Sequence, residues 1–161
     1  YDIWPPFSRA ILLILMFVGG SGGSTGGAIK VVRMNVLAKH SIRELKRAVY
    51  PRRVTVIRLN GKAVPEEVSS AVLAFVILYL SVFLLAMLAM SAMGLDFVSA
   101  VGAVAATLGN IGPGFGLVGP ACNYSAVPAM GKWLLSFCML VGRLEVYTVL
   151  SMLVPGFWRR P

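Results

Sequence analysis

Apolar positions run along this chain in blocks of unequal length, and those lengths predict its elements. Residues 68–93, VSSAVLAFVILYLSVFLLAMLAMSAM, form a long uncharged and strongly apolar stretch. It exceeds the ~20 residues a helix needs to cross the ~30 Å hydrocarbon core of a bilayer. It also lacks a polar face to turn towards water. Pro65, Glu66 and Glu67 open it, with proline in the first turn and acids at the positive end of the helix dipole. Gly94 stops it. Two further apolar runs, residues 10–18 and 97–108, are only about half a crossing long. Ser8 is positioned to cap the first and Asp96 the second. Each ends in a glycine cluster, GGSGGSTGG at residues 19–27 and GNIGPGFG at 109–116. A longer apolar segment follows each cluster. Residues 28–38 carry Lys30 and Arg33 and read as a broken membrane helix, whereas residues 133–154 read as a full one. The layout is an internal repeat of short helix, glycine loop and longer helix.

Between the halves lies a polar stretch. HSIRELKRAV places Ile42, Leu45 and Val49 on one helical face opposite a basic one, as in a helix lying on a membrane surface. RVTVIRLNGKAV alternates around Asn60-Gly61, the strongest two-residue hairpin turn. Residues 1–6 suit an interfacial loop with Trp4 among the headgroups.

Composition agrees with a membrane protein. Of 161 residues, 58% are hydrophobic and 13% charged, and the mean hydropathy is +0.82. The net charge of +9 would suggest nucleic acid in a soluble protein. Here the charge is local: Lys39, Arg43, Lys46, Arg47, Arg52, Arg53, Arg58 and Lys62 share the polar stretch, and Arg159 and Arg160 follow Trp158. That is the positive-inside pattern and orients both regions to the cytoplasm. Interleaved stacking aromatics for nucleic acid are missing. The chain opens on Tyr1 without Met or signal peptide, which leads us to expect the C-terminal part of something longer.

Cys122, Cys138 and the single His40 have no metal-ligand spacing, and no nucleophile–base–acid set points to an enzyme. GGSGGSTGGAIK fails the phosphate-loop pattern at Lys30. Gly114, Gly116 and Gly119 match G-x-G-x-x-G, but no strand precedes them. Close helix packing explains isolated glycines such as Gly102, but not five between Gly19 and Gly26. Non-helical backbone inside a bilayer must line water or be buried in protein, so two such loops predict an aqueous pathway. Glycine can turn carbonyl oxygens to a common axis, where they replace the hydration shell of an alkali cation. The negative carboxyl ends of the short helices favour a cation there too.

GGSGGSTGGAIKVVR, ATLGNIGPGFG and MLVGRLEVYTVLSMLVPGFWR together resemble the Trk, Ktr and HKT superfamily of potassium transporters, most of all its bacterial Trk branch. The resemblance implies an all-α integral membrane fold of M1–pore loop–M2 repeats like those of potassium channels, with a small cytoplasmic β-hairpin. Residues 1–50 would be the pore loop and M2 of a third repeat, residues 51–65 a hairpin linker, and residues 66–161 a fourth repeat. Filter residues would be Ser21, Gly22, Gly23 and Ser24 in the first loop, and Asn110, Ile111 and Gly112 in the second. Ala28 stands where Trk sequences often carry another glycine.

Arg143 and Glu145 fall mid-helix at membrane depth, where ionisable groups are costly and functional by default. Two residues apart, they point to nearly opposite sides. The resemblance implies that Arg143 faces the pore below the filter as a gate; a structural ion pair is the alternative. Lys30 and Arg33 have three readings: snorkelling, pairing with Glu145, or fixing an interrupted M2 helix that gates.

The resemblance further implies potassium uptake into the bacterial cytoplasm through a multi-pass inner-membrane protein, passive or coupled to another ion. Potassium is the substrate and no cofactor is expected. Expected partners are the lipid bilayer, the first two repeats of the same chain, a second copy in a homodimer, and cytoplasmic nucleotide-binding regulatory subunits docked on the basic surface 39–62. A non-conducting structural or assembly subunit is the alternative function.

Overall fold

The computed structural model describes Tyr1 and residues 3–21, 24, 26–50, 56–59 and 61–144. Helix α1, Pro6–Phe17, starts two residues before the expected Ser8 cap; Pro5 is the N-cap, with ψ 148°. Proline at the first helical position costs nothing, because its missing N–H would have had no intrahelical partner. Helix α2 is a single unit, Val31–Val49, where the sequence suggested a broken apolar piece and a separate amphipathic one. No glycine or proline falls inside it, so nothing interrupts the hydrogen-bond ladder. Lys30 stands just outside as an extended N-cap with ψ 141°. Arg33 finds the ring of Phe75 at 4.0 Å. Ile42, Leu45 and Val49 share one face as their spacing predicts, and all three are exposed.

Strands β1, Arg58–Leu59, and β2, Lys62–Ala63, pair antiparallel with Arg58 opposite Ala63. Gly61 turns between them at φ +80°. The hairpin is shorter than expected, and Asn60 and residues 51–55 lie outside the described residues.

Helix α3, Glu66–Ala92, is long and apolar enough to cross a membrane. It carries Glu66 and Glu67 in its first turn and ends before Gly94, whose φ is +95°. Its outer face exposes Leu73, Ile77, Leu80, Leu84, Leu85 and Leu88. A contiguous apolar face of that kind belongs in hydrocarbon or against other helices.

Helix α4, Phe97–Leu108, starts where the sequence places it, because the Asp96 carboxylate accepts the Ser99 N–H at 3.1 Å. Bonds from the Ser99 side chain and backbone hold that carboxyl below its ordinary value. Residues 102–108 are all buried, and α4 touches α1, α3 and α5. Small side chains permit this: Gly102 brings α4 against the backbone N–H of Phe115. Helix α5, Ala129–Leu144, begins directly after Pro128, a turn earlier than expected; its continuation towards residue 154 lies outside the described residues. Tyr79, Met90, Val104, Leu108, Leu135 and Val141 form the main core. Met16, Ala105 and Phe115 form a smaller one that seats α1 on α4.

Two substitutions test this packing. Gly102→Val drives a branched side chain into the Phe115 backbone, and overpacking of that kind costs about 1–3 kcal/mol. We expect a lower thermal midpoint and less folded protein in detergent. Ala28 is 9% exposed and holds φ +60°, a left-handed conformation that costs a non-glycine residue about 1–2 kcal/mol. Ala28→Gly should raise the midpoint, by less than the full amount because glycine also gains about 0.5–1 kcal/mol of unfolded freedom.

Candidate functional site

Both glycine loops leave the carboxyl end of a short helix. After α1, Val18 forms a parallel bridge with Ile29. Gly19 donates to the Ile29 carbonyl at 2.8 Å, Ile29 to that of Phe17 at 3.1 Å, and Val31 to that of Gly20 at 3.1 Å. These bonds pinch the base of the loop. Within it Ser24 donates its N–H to Ser21 O at 2.9 Å, and its hydroxyl accepts from Gly26 at 3.1 Å. Gly22, Gly23 and Glu145 lie outside the described residues.

The second loop begins as a Schellman cap on α4. Asn110 takes the left-handed position at φ +53°, its N–H bonds Thr107 O at 3.1 Å, and the Ile111 N–H reaches Ala106 O at 2.9 Å. The helix therefore ends with its last carbonyls partly satisfied, and the chain turns away at Gly112, φ +116°. Two tyrosines reach this loop: the Tyr124 hydroxyl donates to Gly112 O at 2.9 Å and the Tyr1 hydroxyl to Gly114 O at 2.8 Å. The Asn110 side chain donates to Met139 O on α5 at 3.1 Å. Ser99 accepts the Leu117 N–H at 2.9 Å and so ties the far side of the loop to α4.

The loops meet. A Cβ on Gly27 would lie 2.6 Å from the carbonyl oxygen of Gly109, so only glycine allows the two backbones this close. Beside the junction is a cavity of about 440 Å³, lined by Gly19, Gly20, Gly26, Gly27, Gly109 and Ile111 among others. A second cavity, about 310 Å³, adjoins Gly26 and Ala28 from another side. Lys30, Arg33 and Arg143 all line it, with Tyr79 and Ser24.

Sequence reasoning thus singled out Lys30 and Arg143 separately, and the fold brings them to one cavity. It left Arg33 open among three roles, and the structure gives its guanidinium the face of Phe75, a cation–π contact. It missed Tyr124 and Tyr1 altogether. The only signal was an aromatic hydroxyl within reach of a glycine loop, and reach is a tertiary property.

At the other end of α2, polar groups join it to α3. Arg43 contacts Glu44 at 3.0 Å and Glu66 at 3.2 Å, while Arg47 reaches them at 3.5 and 3.9 Å. Ser69 and His40 Nδ1 share a hydrogen bond at 2.7 Å. Partial desolvation pushes the Glu44 carboxyl up, but the hydrogen bond and charge of Arg43, with Arg47 and His40, outweigh it and hold the group below its ordinary value. Among the described residues no group of three His, Cys, Asp or Glu side chains could hold a metal ion.

Comparison with known proteins bears on what such a site serves. Residues 1–156 match the family model TrkH, described as a cation transport protein. Over 156 residues the chain is 47% identical to the Trk system potassium uptake protein TrkH of Vibrio parahaemolyticus, covering 97% of this chain and 32% of that protein. TrkH of Escherichia coli matches with the same identity and coverage. TrkH of Halomonas elongata is 37% identical over 160 residues, covering 99% of this chain and 33% of that one. The crystal structure of the potassium transporter TrkH from Vibrio parahaemolyticus aligns with a TM-score of 0.87 at 46% identity, over 97% of this chain and 33% of that chain. The chain spans about a third of the length of these relatives. A family of membrane transport proteins agrees with the long apolar helix. With the family model matched over residues 1–156, the chain belongs to the TrkH family of cation transport proteins.

Proposed function

We propose that this chain is part of a potassium uptake protein and contributes two loops to a carbonyl-lined selectivity filter. The observation that carries the reading is the meeting of the two glycine loops, each from the carboxyl end of a short helix, beside one cavity of about 440 Å³. Helix carboxyl ends carry about −0.5 elementary charge each, which favours a cation beside them. Ser21, Gly22, Gly23, Ser24, Asn110, Ile111 and Gly112 line the ion path in this reading. Among the described residues the carbonyls of Asn110 and Ile111 accept no hydrogen bond, which leaves them available to replace water around potassium. Residues 1–50 then belong to a third repeat, 51–65 to a linker and 66–161 to a fourth, with further repeats completing the filter. The Vibrio parahaemolyticus and Escherichia coli relatives, named potassium uptake proteins, support potassium as the cargo.

Lys30 and Arg143 gate the path in the same reading, from the adjoining cavity of about 310 Å³. A fixed cation about 8 Å from a potassium ion raises its energy by ~2 kcal/mol at an effective dielectric near 20. That is roughly a thirtyfold effect on passage. A homodimer and nucleotide-binding regulatory subunits on the basic surface of α2 complete the proposal.

Three measurements in the full-length protein test it. Gly23→Ser and Gly112→Ser should each lower the preference for potassium over sodium while membrane insertion persists; an unchanged preference in both refutes the filter. Arg143→Ala should raise potassium uptake per recovered dimer by up to about thirtyfold. A structural ion pair predicts the opposite, loss of dimer with no gain in normalised uptake, since breaking a buried pair costs about 3–5 kcal/mol. For orientation, a membrane-impermeant maleimide added to cells should label the exposed Cys122 but not the buried Cys138. A cysteine at Gly61, in a Cys122→Ser background, should react only from the cytoplasmic side.

A further inference from the structure

We propose that Tyr124 and Asn110 are positioning residues that set the ion selectivity of the second glycine loop, an inference that rests on the filter reading above. The second loop has a weak joint. Gly112 holds φ +116°, and a Cβ built on it would meet nothing within 4 Å. Gly112 thus has neither a side chain of its own nor close packing on its Cβ side to restrict it, and glycine passes between conformations closed to other residues. Pro113, next in the chain, has no N–H to contribute a bond. The backbone is anchored again only at Gly114, whose N–H bonds Val118 O at 2.8 Å.

Two side chains bracket this joint, Tyr124 from outside the loop and Asn110 from its start. Tyr124, on the short turn Tyr124–Ala126, packs its ring against the main core and directs its hydroxyl to Gly112 O at 2.9 Å. With that oxygen held towards Tyr124, the Gly112 peptide has one favoured orientation, which limits the directions open to the Ile111 carbonyl before it. The Asn110 carbonyl is oriented by the cap, since it shares a peptide plane with the Ile111 N–H that bonds Ala106 O. Asn110 holds the other end through its bond to Met139 O on α5 at 3.1 Å. Met139 lies one helical turn before Arg143 on the same helix, so this bond also ties the loop to the helix that bears the gating arginine. Selectivity among ions that differ by fractions of an ångström depends on how firmly the carbonyls keep their positions and field strength. The two bonds supply that firmness from outside the ring of coordinating oxygens.

The test uses the full-length protein in liposomes, with potassium and sodium flux measured separately. Tyr124→Phe keeps the packed ring and removes only the hydroxyl. Asn110→Gly keeps the left-handed turn and removes only the side-chain bond. A hydrogen bond is worth about a fivefold change in an equilibrium. Each variant should therefore lower the potassium-to-sodium flux ratio by about fivefold, with protein recovery unchanged. Gly112→Ser is the reference. If it lowers the ratio while Tyr124→Phe and Asn110→Gly leave it unchanged, the filter stands and the positioning role is overturned. If all three leave the ratio unchanged, the filter reading falls and takes this inference with it. Reduced recovery at an unchanged ratio marks a merely structural role and also overturns the proposal.

Discussion

Backbone that leaves a helix within an apolar bundle must find partners for its N–H and C=O groups, since unpaired ones cost several kcal/mol each in hydrocarbon. Two of the chain's departures from a helix, after α1 and after α4, run through glycine loops that meet. The first loop solves the problem by pinching its base, with Val18 and Ile29 side by side and three backbone bonds across the neck. The second uses a Schellman cap at Asn110 and then borrows hydroxyls from Tyr124 and Tyr1. Among the described residues, the carbonyls of Asn110 and Ile111 in the second loop accept no hydrogen bond, and these are carbonyls that the proposed function assigns to the ion.

Helix α4 is the member on which this depends. Its run of glycine, alanine and valine keeps it thin, so α1, α3, α5 and the loop ending at Phe115 can all press against it. A thin central helix places its carboxyl end, the start of the second loop and the Gly27 backbone together. Larger side chains on α4 would move the loops apart by the width of a methyl group or more, and the shared cavity would lose its shape. Packing of small residues thus serves electrostatics, because a helix end acts only within about a turn of its terminus.

Charge is placed with the same economy. Negative helix ends lead to one cavity; Lys30, Arg33 and Arg143 line the next. Further along α2, Arg43 and Arg47 meet Glu44 and Glu66 in a shared network that joins α2 to the start of α3. Pairs whose carboxylates stay open to water are individually weak. Their value lies in holding the basic end of α2 beside the start of the long apolar helix α3.

The amino-acid sequence by itself determined what depends on local composition. Uncharged length marked α3, Asp96 with the apolar run after it marked α4, and glycine clusters marked both loops. Motif order named the family that comparison then established. Continuity of α2 was misread because Lys30 and Arg33 look like interruptions of an apolar run. A charge does not break a helix when it lies outside the first turn, as Lys30 does, or finds an aromatic face, as Arg33 does on Phe75. Only the tertiary structure decided which distant groups share a site. Gly27 lies against Gly109, Lys30 shares a cavity with Arg143, and Tyr124 holds Gly112, because packing around α4 brings segments far apart in the chain into contact. No periodicity records such a contact, since its energy belongs to the pair and not to either segment alone.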